Sequence, residues 1–239
     1  MKRRNAFTLV EMILAVFIFG YMSASMATIY STTNRHMFQN YRRNIVKTST
    51  LVSMRAIQNN LALATRIDWP TRTAPNDRLN TLAFATNIDQ LTGCYPVNPF
   101  QPVHWHYFCL GNDPLIAGSR NLYYHTNTVS LAGGPACSGF PPAATCFTCW
   151  TPTSYPVPTC GTAGTGQTVT LLMRHVVPLA ATNGGFLFSR RGGDGAAPVG
   201  AVRVALRSFW EANPRGFGTS QRDVDFTLDT VLTVSRHGP

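Results

Sequence analysis

The N-terminal part of the chain combines a continuous apolar segment with a periodic one. Residues 7–30 read FTLVEMILAVFIFGYMSASMATIY, in which Glu11 is the only charged side chain. A helix over these residues is roughly 36 Å long, enough to cross a bilayer. Further apolar residues recur at the three-to-four spacing of one helix face: Phe38, Tyr41, Ile45, Val52, Ile57, Leu61 and Ala64, with Thr48 in one gap. The pattern predicts one helix from Phe7 to Asp68, ended by Trp69-Pro70, because the residue before a proline is disfavoured in the α conformation.

Residues 69–239 show a different pattern, in which hydrophobic, β-branched and aromatic runs are separated by Gly and Pro. These runs predict strands over residues 79–88, 103–110, 121–131, 169–179, 185–189, 199–210 and 225–235. The last run alternates apolar and polar side chains, as a half-buried strand requires. A long helix followed by strands predicts an α+β fold, a ladle in which the N-terminal helix packs on a C-terminal antiparallel β-sheet head.

Glu11 is the most informative residue of the apolar segment. A carboxylate at the centre of a bilayer costs about 2.5–3.5 kcal/mol, so one that is kept there usually has a partner and a function. A short basic leader with Lys2, Arg3 and Arg4 precedes the segment.

The residues around this acid resemble a known processing site. Ala6-Phe7-Thr8-Leu9-Val10-Glu11, followed by an apolar helix, is similar to the cleavage and methylation site of type IV pilins and type II secretion pseudopilins. The resemblance implies that a prepilin peptidase cuts between Ala6 and Phe7 and methylates the new amine. The family most often has Gly where this chain has Ala6, and both residues are small. The new amine lies one helical turn from Glu11, so the two charges can pair, and the resemblance implies a pair between neighbouring subunits.

The resemblance also implies an organisation, a location and partners. It divides the chain into a leader (1–6), a membrane and filament-core helix (7–30), a stalk helix (31–68) and a head (69–239). The implied protein is a structural subunit without a cofactor and not an enzyme. It crosses the bacterial inner membrane once, with its head in the periplasm, and then enters a filament. Its implied partners are other pilins, contacted through the N-terminal helix, the prepilin peptidase and the inner-membrane assembly platform.

Two finer expectations concern the head and the helix. The order of the C-terminal strands is similar to large minor pilins of the W kind and to the J-type pseudopilin. A bulky head packs poorly in a uniform fibre, so we expect a position at or near the filament tip. In pilins a Gly at the position of Gly20, often with a downstream Pro that this chain lacks, marks where the helix can lose its hydrogen bonding; close helix packing is the alternative.

The N-terminus has two competing interpretations. In the first, the leader and residues 12–22 form an ordinary secretory signal that is cut after Ala27, which releases a periplasmic protein. In the second, the segment is a plain signal anchor. An acid within the apolar region disfavours the secretory signal, and the helical pattern continues through the supposed cut.

The head carries all six cysteines: Cys94, Cys109, Cys137, Cys146, Cys149 and Cys160. An even number in an exported domain predicts disulfides, with 15 complete pairings that the sequence does not separate. Residues 132–166 are rich in Gly, Pro, Ser, Thr and Ala, so covalent closure would help to order them. Cys146-Phe147-Thr148-Cys149 has two alternative interpretations. It could be a redox Cys-x-x-Cys, or one pair of zinc ligands with a second set from Cys137 with Cys160, or from His104, His106 and His125.

Other functions have weaker support in the sequence. The acids of the head form no catalytic motif, and Gly192 to Gly195 read as a turn because Pro198 follows where a phosphate-binding loop needs a helix. His104 and His106 share one strand face, which could hold a metal but more often is a polar side. A membrane-anchored enzyme or metal protein is therefore the weakest alternative. A binding module that uses the loop from Cys137 to Cys160 to contact a surface, a secreted substrate or DNA is the stronger one.

The formal charge of +10 does not by itself indicate nucleic acid. Of the 20 basic residues, three lie in the leader and six between Arg35 and Arg66, so the head is only weakly basic. DNA capture would need Arg203, Arg207, Arg215 and Arg222 to form one contiguous patch.

Overall fold

The computed structural model describes residues 8–89, 93–98, 100–114, 119–129, 148–150, 159–178, 185–192, 195–196, 200–211 and 223–234. Its helix is α1 (Leu9–Ala62). Its strands are β1 (Arg66–Trp69), β2 (Arg78–Leu79), β3 (Thr81–Ala85), β4 (Cys94–Tyr95), β5 (His104–Asn112), β6 (Arg120–Thr128), β7 (Thr148–Cys149), β8 (Thr168–Met173), β9 (Phe188–Ser189), β10 (Arg191–Gly192), β11 (Gly195–Ala196), β12 (Ala201–Trp210) and β13 (Val224–Thr233). One long N-terminal helix followed by antiparallel sheets confirms the predicted α+β fold.

The strands of the head form two larger sheets. One has five strands in the order β1-β3-β5-β6-β8, and the other has four in the order β13-β12-β9-β2. The chain divides into two compact units, residues 1–44 with 211–224 and residues 45–210 with 225–239. The second unit holds the core, which Ile57 and Leu61 of α1 form together with Phe84, Phe108 and Phe188 from the sheets.

The helix ends at Ala62, so the predicted end at Asp68 is wrong. Residues 66–69 form β1 instead, and β1 pairs with β3. The Asp68 carboxylate is buried and accepts hydrogen bonds from Arg66 Nε at 2.7 Å and from the Trp150 indole at 3.0 Å. Trp150 is distant in sequence, and Arg66 reaches Asp68 from the same strand, so the local helical pattern did not reveal either partner.

The buried face of α1 is also different from the predicted stripe. Tyr41 and Val52 are exposed, whereas Thr50 and Ser53 are fully buried. Thr50 donates to the Val46 carbonyl at 2.8 Å, and Ser53 donates to the Ser49 carbonyl at 2.7 Å and to Leu172 O at 3.1 Å. Because backbone carbonyls satisfy these hydroxyls, small polar residues can occupy core positions that the stripe reserved for apolar ones.

The opposite face of the five-stranded sheet supports a second apolar cluster. It includes Trp105 and Tyr107 of β5, together with Tyr95 and Trp150. Short strands extend this region, since β4 pairs with β7 and places Cys94 opposite Cys149 in the backbone register. At the predicted turn of Gly192 to Gly195, β10 and β11 pair antiparallel, with Gly192 opposite Gly195.

Candidate functional site

The helix begins with a reciprocal hydrogen-bonded cap between Thr8 and Glu11. The Glu11 Oε2 atom accepts hydrogen bonds from the Thr8 backbone N–H at 2.9 Å and from the Thr8 hydroxyl at 3.0 Å. The Glu11 N–H lies 3.4 Å from Thr8 Oγ1. This Thr-x-x-Glu arrangement is a capping box, which satisfies N–H groups that the first turn leaves without helical partners.

The cap assigns Glu11 a partner within its own chain, which the sequence analysis missed. The Thr-x-x-Glu spacing next to an apolar run is the signal that could have identified Thr8. Both Thr8 bonds end on Oε2, so Oε1 is available to a cation. Ala6 and Phe7 lie outside the described residues, and the pairing of Glu11 with an amine at Phe7 stays a prediction.

The first turns of α1 expose large apolar side chains on every side. Leu9, Phe17, Phe19 and Tyr30 are each at least 70% exposed. By length and composition α1 is apolar enough to cross a membrane. A helix that is hydrophobic all round is buried in protein or in lipid, so this segment requires a covering that the described part of its own unit does not supply.

Four hydroxyl groups of the same segment, those of Ser25, Thr28, Ser31 and Thr32, donate to carbonyls of the helix itself. Ser25 donates to the Tyr21 carbonyl at 2.9 Å, and Thr32 donates to the Thr28 carbonyl at 2.8 Å. Such internal bonds are what a hydrocarbon environment demands, because it offers no water to polar groups. These four hydroxyls are therefore compatible with an apolar covering.

Gly20 lies within the continuous helix. A Cβ atom at Gly20 would meet no heavy atom within 4 Å. Close packing within the isolated chain therefore does not explain this glycine. Its role, whether in loss of helical hydrogen bonds or in packing against another chain, stays a prediction.

Comparison with known proteins identifies the N-terminal segment. Residues 1–27 match the family described as the prokaryotic N-terminal methylation motif. The chain carries this methylation motif. The match supports a place among type IV pilins and pseudopilins, and it spans the leader, the capping box and Gly20. No curated protein and no solved structure matches the chain.

Disulfide bonds staple the head. Cys109 of β5 bonds to Cys160, across 51 residues of sequence. Cys94 is also disulfide-bonded, and no cysteine in the described part of the chain is a free thiol. Cys137, Cys146 and the side chain of Cys149 lie outside the described residues. The two alternative interpretations of the Cys-x-x-Cys segment therefore stay predictions.

One group of potential zinc ligands comes together in the head. The ligand atoms of Cys109, His125 and Cys160 lie within 4.8 Å of one another. The two sulfurs are bonded to each other, however, and a disulfide supplies no thiolate for a metal. His125 Nε2 accepts a hydrogen bond from the Gly161 N–H at 3.1 Å, and burial lowers the pKa of His125. The neutral imidazole therefore supports the turn that carries Cys160.

His106 connects the five-stranded sheet to α1. Its Nδ1 atom lies 2.7 Å from the Tyr124 hydroxyl, which donates to Asn60 Oδ1 at 3.2 Å. The ring stacks on Phe84, with centroids 4.9 Å apart. Burial, and secondarily the nearby His104, lowers the pKa of His106 to about 4. A buried ring with these partners has a structural role, and the pair of His104 and His106 offers little to a metal.

We expect the stability of the head to fall as the pH is lowered through the range set by His106. The unfolded imidazole has a pKa of about 6.5 and the folded one about 4, so between these values the unfolded state binds the extra proton. The contribution is complete above pH 6.5 and is lost towards pH 4, by about 3 kcal/mol. Denaturant titrations of the full chain at several pH values measure this loss.

A matched pair of variants isolates the contribution of His106. His106→Gln keeps a hydrogen-bonding group but does not titrate, so its free energy of unfolding should depend less on pH between 4 and 6.5. His36→Gln, at an exposed position of α1, should retain the wild-type dependence. Equal pH dependence in the wild type and His106→Gln would contradict this assignment.

The described arginines of the proposed DNA patch are paired with acids. Arg203 binds Asp229 through two bonds of 3.0 and 2.7 Å, and the Arg207 guanidinium lies 2.7 Å from Asp225. These bidentate pairs connect neighbouring strands β12 and β13 and balance the charge locally. Arg215 and Arg222 lie outside the described residues, so the described part gives no support to nucleic-acid binding.

Proposed function

We propose that this chain is a pilin or pseudopilin subunit that a prepilin peptidase processes between Ala6 and Phe7. The observation that carries the proposal is the methylation motif at residues 1–27, joined to an exposed apolar helix whose first turn holds Glu11. The segment 7–30 anchors the subunit in the inner membrane, with the head in the periplasm. An assembly platform then transfers the helix from the bilayer to the core of a filament.

The capping box supports a specific role for Glu11 in this transfer. Thr8 holds Oε2, which fixes the orientation of the carboxylate at the start of α1. Oε1 then accepts the methylated amine of the Phe7 residue of a neighbouring subunit. Two charges that are costly in an apolar filament core become acceptable as a pair. The pairing also fixes the position of the incoming helix along the filament.

We further propose a low-copy position for the subunit, at or near the filament tip. The head spans 69–239, and a disulfide joins Cys109 to Cys160 within it. A minor subunit of the W kind or a J-type pseudopilin has this size and strand order. The protein is a structural component in this proposal, because its described polar clusters serve the packing of the head.

We expect the mature chain to begin with N-methylated Phe7, because the small side chain of Ala6 admits the peptidase and α1 begins just beyond the cut. Mass spectrometry of the N-terminal peptide from the membrane fraction measures this. Ala6→Gly should be processed at least as completely as the wild type, and Ala6→Phe should accumulate the precursor. A mature chain that starts after Ala27 would instead establish an ordinary secretory signal.

A further inference from the structure

Beyond the apolar run, α1 combines exposed apolar side chains with cations. Phe38 and Tyr41 are each at least 50% exposed. Tyr41 and Arg42 follow Phe38 by three and four positions, so the three side chains share one face of the helix. Arg43 is exposed as well. We refer to residues 35–44 of α1 as the cationic segment.

The charge of α1 has one sign after its first turn. Between Glu11 and Asp68 the chain contains no acid. Over the same stretch the helix carries five cations: Arg35, Arg42, Arg43, Lys47 and Arg55. Residues 211–224 belong to the same compact unit as the cationic segment, and their two acids and two arginines add no net charge. A surface that packs on the cationic segment is therefore favoured if it is acidic.

Lipid headgroups do not account for the whole cationic segment. In the proposed orientation the hydrocarbon core ends near Tyr30, and the headgroup layer beyond it is roughly 5–7 Å thick. Arg43 lies about 20 Å further along α1 than Tyr30. Its side chain is too short to reach back over the difference, so Arg43 requires an acidic partner outside the membrane.

A second copy of this chain does not supply that partner. Whatever the stagger between two parallel copies of α1, the cationic segment of one meets no acid of the other between Glu11 and Asp68. Glu11 itself is paired with an amine in the proposed function. Like charges that face each other across two helices are unfavourable. This agrees with a low-copy position, in which the neighbours of the subunit are other proteins.

We propose that the cationic segment packs against an acidic helix of a different pilin-like subunit. The partner helix presents apolar side chains to Phe38 and Tyr41 and carboxylates to Arg43 and the cations beside it. The inference rests on the proposed function and adds the nature of the neighbour. The contact continues the exposed apolar part of α1 that begins at Leu9, so the two helices meet over roughly 50 Å.

The apolar side chains and the cations have different roles in this contact. The apolar side chains supply most of the buried surface, since exposed ion pairs contribute little to affinity. The charges select the partner, because like charges across an interface exclude a wrong one. Both helices are held in the same bilayer before assembly, which raises their effective concentration and reduces the area that the contact needs.

Site-specific photo-cross-linking in cells tests the contact with the full chain. We expect Phe38→p-benzoylphenylalanine to become attached to a different protein with its own N-methylated N-terminus, within a helical segment that contains Asp or Glu. Arg43→Glu with Lys47→Glu should reduce this product about tenfold or more, because attractions become repulsions. Arg120→Glu with Arg174→Glu makes the same two changes at exposed positions of the head and should leave the yield unchanged.

A compensating exchange guards against a misfolded double variant. Lysine in place of the acids in the cross-linked segment of the partner should restore the product with Arg43→Glu and Lys47→Glu, and should reduce it with the wild-type chain. An unchanged yield in the double variant, or no recovery after the exchange, would overturn the proposal.

The remaining outcomes separate this inference from the proposed function. A homodimer, a lipid adduct or no product, together with N-methylated Phe7 and normal filament incorporation, refutes the acidic partner alone. An unprocessed chain outside filaments refutes the proposed function and the inference that rests on it.

Discussion

Glu11→Gln is expected to abolish incorporation of the chain into filaments while leaving it in the membrane. The substitution retains the capping box, since Gln accepts at the same position as Glu, so α1 should still begin at Leu9. It removes the negative charge, and the methylated amine of a neighbouring Phe7 would then enter an apolar core without a counter-charge. An uncompensated charge in such a setting is costly enough to stop assembly.

Fractionation measures this outcome. Filaments are sheared or extracted, and the chain is quantified in the filament and membrane fractions. Glu211→Gln makes the same chemical change at the only other glutamate, in an exposed position, and should assemble as the wild type does. Mass spectrometry should still find N-methylated Phe7 in Glu11→Gln, because the acid is not at the scissile bond. Normal filament incorporation of Glu11→Gln would remove the basis of the proposed function.

The double substitution Cys109→Ala with Cys160→Ala is expected to destabilise the head by about 4 kcal/mol. The bridge closes a loop of 51 residues, and constraint of the unfolded chain over that length accounts for a loss of this size. Cys109 is also buried, at 3% exposure, so a small packing loss adds to the effect. A loss of this size is a large part of the free energy of unfolding of a typical domain.

Denaturant unfolding of the oxidised full chain measures the free energy of unfolding of this variant. Thr162→Ala, at an exposed position of the same turn, should remain within about 0.5 kcal/mol of the wild type. If the cysteine variant differed from the wild type no more than Thr162→Ala does, the bridge would be dispensable for stability.

The elements that the sequence predicted are those with a strong local signal. The apolar run from Phe7 and the alternation along β13 each extend over many residues, so their periods determine helix and strand. The short strand β1 has no such signal, because its four residues follow a helical pattern and become a strand only through pairing with β3. The buried face of the helix was predicted wrongly for a related reason. Backbone carbonyls satisfy the buried hydroxyls of Thr50 and Ser53, and a hydrophobic pattern does not show such partners.

The candidate site could be predicted only in part. Glu11 was conspicuous, because a single charge in an apolar run needs an explanation. Thr8 was present in the same motif but became informative only when the structure showed its bonds to the carboxylate.

The polar bonds between α1 and the five-stranded sheet bear on how a subunit of the proposed filament resists tension. Ser53 donates to the Leu172 carbonyl, and Asn60 accepts from Tyr124, two helical turns further along. A pull along the axis of α1 loads both hydrogen bonds and the apolar contacts between them at the same time. The force is therefore distributed over the whole contact between the helix and the sheet. The helix should therefore slide out of the head only when the whole contact yields.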